Sequence, residues 1–271
     1  MYQWCLAVKI VKVVTRMESR VKLAIIVEDI KFNSNGHSLR GRTYRPAEDG
    51  KYPAVAICHG YPGDTKNMDL AEHLALNNIA VLVFYYQGAW GSEGTYSFSN
   101  LAPSTEDAVK YLKSQSYVDS EKVGLVSHSM GAVPLSNVMH KDKSIKAGVL
   151  MSPASDISKW LSSEVIDNIF PIFVGMAKGK LAYGDESEYR KSMMEAAEKL
   201  NPMEKIADIE APVLVIVGSA DNVTNPDDCK ALYEKATPPK SWSLVDGADH
   251  GFSEHRIPLQ EKVLDWLQEN L

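Results

Sequence analysis

The sequence has few cysteines, no block of charge of one sign and no long apolar run. Its three cysteines are Cys5, Cys58 and Cys229. An odd number without paired spacing excludes a disulfide framework and fits reduced thiols in a cytoplasmic protein. The 29 basic and 35 acidic side chains give a net charge of −6. With no basic block, nucleic acid is not an expected partner. No apolar run approaches the roughly 18 residues of a membrane span, so no membrane partner is expected either. The segment 4–14 is apolar but broken by Lys9 and Lys12, and no small-residue cleavage site follows it. It reads as an N-terminal strand or a loosely docked extension, not as a signal peptide, and residues 1–20 as a whole are expected to be an N-terminal extension. Met17 stands as an alternative start. No His/Cys cluster has metal-ligand spacing, and no Gly-x-Gly-x-x-Gly follows the first parallel strand. No metal and no cofactor is therefore expected.

What is present suits one large core. The chain has 271 residues, 45% of them hydrophobic, enough for a single domain of that length. Residues 21–32 alternate as a strand, Asn33-Ser34-Asn35-Gly36 is a turn, and 37–44 is the returning strand. Short apolar runs follow at 54–58, 79–85, 123–126, 147–151 and 213–217, suited to strands buried on both faces of a parallel sheet. Helix-like segments lie between them at 67–76, 104–114 and 132–141. A helix at 227–235, a strand near 241–245 and an amphipathic helix at 259–271 close the chain. This alternation predicts an α/β fold with a mostly parallel sheet of about eight strands and an antiparallel edge. The segment 156–209 has no strand pattern, much helix potential and many Met, Trp and Phe side chains. It is far longer than one crossover needs and is expected to form a helical lid.

The most informative motif is Ser127-His128-Ser129-Met130-Gly131. It follows the run 123–126 and precedes a helical segment. This is the order of a nucleophile elbow, in which a sharp turn presents one serine at a strand tip. A serine nucleophile needs a base, a carboxylate to orient the base, and donors for the oxyanion. Among seven histidines, His250 follows a strand-like segment between Gly247 and Gly251 and is the expected base. His37, His73, His140 and His255 read as surface residues, and His128 is expected to point away from the nucleophile. Asp221, four residues past the run 213–217, is the expected acid. Asp227 and Asp228 suit a helix N-terminus, Asp246 a turn, and Asp249 sits too close to His250 in sequence. The oxyanion donors are expected to be the N–H groups of Met130 and of Tyr61, in His59-Gly60-Tyr61-Pro62-Gly63.

The order Ser129, Asp221, His250, each beyond a strand, is that of the α/β hydrolases. With His59-Gly60, the loop 86–94 (Tyr-Gln-Gly-Ala-Trp-Gly-Ser-Glu-Gly) and Ala248-Asp249-His250-Gly251-Phe252, the chain resembles that superfamily from about residue 21 onward. It is most similar to feruloyl (cinnamoyl) esterase-like and dienelactone-hydrolase-like enzymes and to the catalytic domains of prolyl-oligopeptidase-type peptidases. Two positions depart from the pattern: Ser127 replaces the usual glycine, and Gln87 stands where Arg or Asn is common. The resemblance implies a serine carboxylesterase acting on small esters. Peptidase or amidase, acyl thioesterase and catalytically silent binding protein are the alternatives. Trp90, Trp160 and Phe252 are the expected substrate-binding residues; Trp90, Tyr96 and Phe98 could line the pocket or equally belong to the core. A small-molecule ester is the expected partner, and a homodimer is allowed.

Overall fold

A computed structural model describes residues 15–18, 21–63 and 67–271 of the chain. The chain opens with a short strand, β1 (Thr15–Glu18), antiparallel to β2 (Val21–Ser34). A turn at Asn35 and Gly36, both at positive φ, joins β2 to β3 (His37–Pro46). Then come β4 (Tyr52–Cys58), α1 (Met68–Leu76), β5 (Ala80–Phe84), α2 (Leu101–Lys113), β6 (Val118–His128), α3 (Ala132–Met139) and β7 (Gly148–Met151). Four helices follow without an intervening strand: α4 (Ser158–Leu161), α5 (Ile166–Ala177), α6 (Glu186–Lys199) and α7 (Pro202–Lys205). The sequence ends in β8 (Val213–Gly218), α8 (Pro226–Lys235), β9 (Lys240–Val245) and α9 (Arg256–Asn270).

The strands form one nine-stranded sheet in the order β1-β2-β3-β5-β4-β6-β7-β8-β9. The hairpin β2–β3 and its neighbour β1 are antiparallel, and every pair from β5 to β9 is parallel. The count exceeds the expected eight because part of the expected N-terminal extension, Thr15–Glu18, pairs with β2; residues 1–14 lie outside the described residues. The central strands are buried on both faces, as their unbroken apolar runs require. In β8, Val213, Val215 and Val217 face one core, while Leu214 and Ile216 face the other. The first core is closed by α2, α3, α8 and the helical segment 156–209. The second is closed by α1 and α9, with Leu259, Val263 and Leu267 of α9 fully buried.

The sheet carries the functional residues at one edge. Connections leave β4 in one direction, to β5, and then cross back to β6. Such a switch opens a crevice beyond the carboxyl ends of the strands. Cys58 and Ser127 are paired there, and so are His128 and Met151. Among the described residues no helix is long and apolar enough to cross a membrane.

Phe252 sits on the α1–α9 side, fully buried. Removing its ring should leave a cavity in the second core. Phe252→Ala is therefore expected to destabilise the protein by about 3–5 kcal/mol, read from urea unfolding midpoints.

Candidate active site

The strand β6 ends at His128, and Ser129–Gly131 form a single tight turn before α3. Ser129 adopts φ 54, a left-handed conformation that non-glycine residues hold only where their surroundings enforce it. The enforcement is visible at Gly131. A Cβ there would lie 2.1 Å from the Cys58 carbonyl oxygen, so no side chain fits. Ser127 occupies the other small-residue position. Its hydroxyl is buried and donates to the Val149 carbonyl at 3.3 Å. The serine fits because its one polar atom is satisfied by the neighbouring strand.

The loop after β4 lies directly against this turn. A Cβ on Gly60 would stand 3.0 Å from Ser129 Cβ and 3.2 Å from the His128 carbonyl. Gly60, Tyr61, Ser129 and His250 line one cavity of about 330 Å³, and Met176 of α5 and Lys180 are also among its lining residues. The Tyr61 side chain leaves this cavity for the helical segment. Its hydroxyl donates to the Phe173 carbonyl at 2.6 Å and accepts from Tyr189 Oη at 2.7 Å. Burial pushes both phenols above the ordinary tyrosine range.

Asp221 and His250 come together from the loops after β8 and β9. His250 Nδ1 is 2.9 Å from Asp221 Oδ2, and the carboxylate side chain has no exposed surface. Burial alone would raise the pKa of such a group. Here the hydrogen bond and charge of His250 outweigh burial and hold the carboxyl well below the usual range. Its second oxygen accepts the backbone N–H groups of Val223 and Thr224, each at 2.9 Å, and Thr224 Oγ1 donates to Oδ2 at 2.8 Å. Thr224 was not among the expected site residues. The signal was the spacing Asp-x-x-Thr, a local turn in which the acid accepts from the backbone that follows.

Three sequence readings change on this geometry, those of Phe252, Trp160 and His128, and the open one for Tyr96 and Phe98 is decided for the core. Phe252 does not reach the cavity; it points into the second core, with φ 53 and no exposed surface. Trp160 packs partly buried against the first core and is not among the cavity-lining residues. Tyr96 and Phe98 are buried behind Tyr61, with ring centroids 6.2 and 6.3 Å from it. His128 does not turn away. It lines the Ser129 cavity, its Nε2 donates to the His250 carbonyl at 2.8 Å, and the two imidazole centroids are 4.8 Å apart. A carbonyl can only accept, so that nitrogen carries a proton.

Trp90 does line the cavity. It is tied on three sides: its N–H donates to the Lys180 carbonyl at 2.8 Å, its indole Nε1 to the Pro62 carbonyl at 2.8 Å, and its own carbonyl accepts from Arg40 at 3.4 Å. The loop it belongs to is closed by Gln87, which is buried and donates to the Thr95 carbonyl at 3.4 Å.

Known proteins of similar fold and sequence place these observations. Est1E of Butyrivibrio proteoclasticus, solved with ferulic acid bound, aligns with a TM-score of 0.72 at 18% identity, covering 89% of this chain and 98% of that one. The 2,6-dihydroxy-pseudo-oxynicotine hydrolase aligns at 0.71 and 17% identity, over 91% of this chain and 68% of its own. Both likenesses establish an α/β-hydrolase fold. In sequence, an uncharacterized Mycobacterium tuberculosis protein is 27% identical over 221 residues, 81% of this chain and 70% of that protein. YfhR of Escherichia coli, also uncharacterized, is 23% identical over 223 residues, 81% of this chain and 71% of that protein. The model of the prolyl oligopeptidase family matches residues 85–271, the stretch that holds Ser129, Asp221 and His250. By that match, over more than half its length, the chain belongs to the prolyl oligopeptidase family of α/β hydrolases.

Proposed function

We propose that the protein is a serine carboxylesterase that cleaves small carboxylic esters through an acyl-enzyme. The observation that carries this reading is the buried Asp221–His250 contact of 2.9 Å beside a cavity shared by His250 and Ser129. In this reading His250 takes the proton of Ser129 as its Oγ attacks the ester carbonyl. The oxyanion rests on the N–H groups of Tyr61 and Met130. His250, held by ionised Asp221, then gives the proton to the leaving alcohol, and water repeats the sequence to release the acid. A positioned proton transfer contributes roughly 10²–10⁴-fold and an oxyanion donor on the order of 10²–10³-fold. In this reading the helical segment 156–209 acts as the lid, supplying Met176 and Lys180 to the lining of the Ser129 cavity.

Family membership keeps a peptidase reading open, because ester and amide hydrolysis use the same groups. The cavity lining favours the ester. Lys180, a cation, lines the Ser129 cavity and opposes a free substrate ammonium. Aminoacyl p-nitroanilides are therefore expected to turn over at least about 10²-fold more slowly than p-nitrophenyl esters of matched size. Equal rates would favour the peptidase.

Ser129→Ala is expected to lose p-nitrophenyl butyrate hydrolysis by on the order of 10⁴-fold or more, with an unchanged far-UV circular dichroism spectrum. A folded variant that keeps most of its activity would overturn the assignment.

Asp221→Asn is expected to lower kcat by about 10⁴-fold, because the orienting charge is lost while the shape remains. The same carboxylate makes stability pH-dependent. Its folded pKa lies below the unfolded value, so its stabilisation is present above about pH 4 and is lost as pH falls toward the lowered folded value. Unfolding midpoints measured across this acid range should fall less steeply in Asp221→Asn than in the wild type.

A further inference from the structure

A second, larger cleft lies against the same tryptophan. It has a volume of about 480 Å³, and Asp29, Lys31, Arg40, Arg42, Tyr85 and Trp90 are among its walls. Trp90 also lines the Ser129 cavity, so one side chain divides the two spaces. The charges of the cleft are arranged by the β2–β3 register, which sets Asp29 opposite Arg42 and Lys31 opposite Arg40. The first pair neutralises itself, with Arg42 Nε 2.6 Å from Asp29 Oδ1. The second sets two cations directly opposite each other on neighbouring strands, an arrangement that opposes pairing. A bound anion would remove that opposition.

Two further observations point to a ligand here. Trp90 has φ 50, a strained conformation for a bulky side chain, and such strain concentrates at ligand clamps. The Arg40 guanidinium donates to the Trp90 carbonyl at 3.4 Å, so the cationic cleft and the dividing wall are joined. On the other side of Trp90, Lys180 lines the Ser129 cavity. Among the charged side chains that line the two spaces, Lys31, Arg40, Arg42 and Lys180 face the single acid Asp29, although the chain as a whole has a net charge of −6.

We propose that the substrate is an ester or thioester bearing an anionic group, carboxylate or phosphate, which Lys31 and Arg40 hold on the far side of Trp90 while its carbonyl meets Ser129. This rests on the serine-hydrolase reading above and narrows it to a substrate class.

The test compares charged and neutral substrates that share the same reacting group: esters of equal acyl length in one arm, thioesters of the same acyl group in the other. p-Nitrophenyl hemiglutarate against p-nitrophenyl valerate places the anion on the acyl side. Butyryl-coenzyme A against S-butyryl-N-acetylcysteamine places it on the leaving group. In at least one arm the ratio of kcat/KM, charged over neutral, is expected to exceed one by about fivefold or more. It should fall by about fivefold in Lys31→Gln and decline with added salt. Arg40→Gln should lower the same ratio. Calorimetric titration of glutarate and of coenzyme A into Ser129→Ala, with and without Lys31→Gln, supplies a readout that does not need turnover. Ester hydrolysis with ratios near one in both arms, unmoved by Lys31→Gln, overturns the anion site and leaves the hydrolase reading standing. Lys31-dependent binding without any hydrolysis supports the anion site and removes the hydrolase reading. If neither binding nor hydrolysis is seen, both fall.

Discussion

The close approach of the Ser129 turn to the end of β4 is the constraint on which the site depends. Gly131 meets the Cys58 carbonyl where a side chain would begin. That contact forces α3 to start hard against the neighbouring strand and leaves Ser129 in a left-handed conformation at the tip of β6. The same proximity leaves little room for a side chain at Gly60, where a Cβ would stand 3.0 Å from Ser129 Cβ. The loop after β4, the serine and the first turn of α3 are thus one packed unit. Their relative positions are fixed by backbone, not by mobile side chains. A catalytic geometry that must hold to a fraction of an ångström is best built this way.

The second half of the site is held by polar contacts. Asp221 is removed from water, yet every oxygen has a donor: His250 and Thr224 Oγ1 on one, two backbone amides on the other. A buried carboxylate with this many partners stays ionised, and one with fewer would not. His128 completes the frame by bonding the His250 carbonyl from the end of β6. The β9 loop is thereby anchored from two directions, through the imidazole to β8 and through the backbone to β6. The chain's two halves, which bring serine and histidine from positions 121 residues apart, meet through this pair of contacts.

Much of this was legible in the sequence because it is written in local patterns. Unbroken apolar runs gave β4 to β8, and the flanking glycines and loop positions gave Ser129, Asp221 and His250 as one ordered set. The misreadings share a physical cause. Phe252 and Trp160 are aromatics in segments assigned to the site, and sequence cannot tell a pocket wall from the core behind it, which is also why Tyr96 and Phe98 were open between the two. Phe252 is two residues from His250, but its positive φ turns it through the sheet edge into the opposite core. His128 illustrates the converse. Alternation on β6 predicts which way it leaves the strand, but not that the β9 loop would fold over to meet it. Thr15–Glu18 were missed as a strand because four residues carry too little periodicity to register. Their pairing exists only because β2 extends far enough to receive them.

The Tyr61 hydroxyl has a consequence for how the molecule can move. It is joined to the Phe173 carbonyl of α5 and to Tyr189 of α6, while the backbone of the same residue borders Ser129. Tyr189 is itself stacked on Tyr183, with centroids 4.6 Å apart. Displacing α5 and α6 outward would break two hydrogen bonds and release the loop that faces the serine. The equilibrium of the covering helices and the order of that loop are therefore thermodynamically linked. Anything that holds α5 and α6 in place therefore also holds this loop against the Ser129 turn. The two phenols thus tie the placing of α5 and α6 to the placing of the loop that borders Ser129.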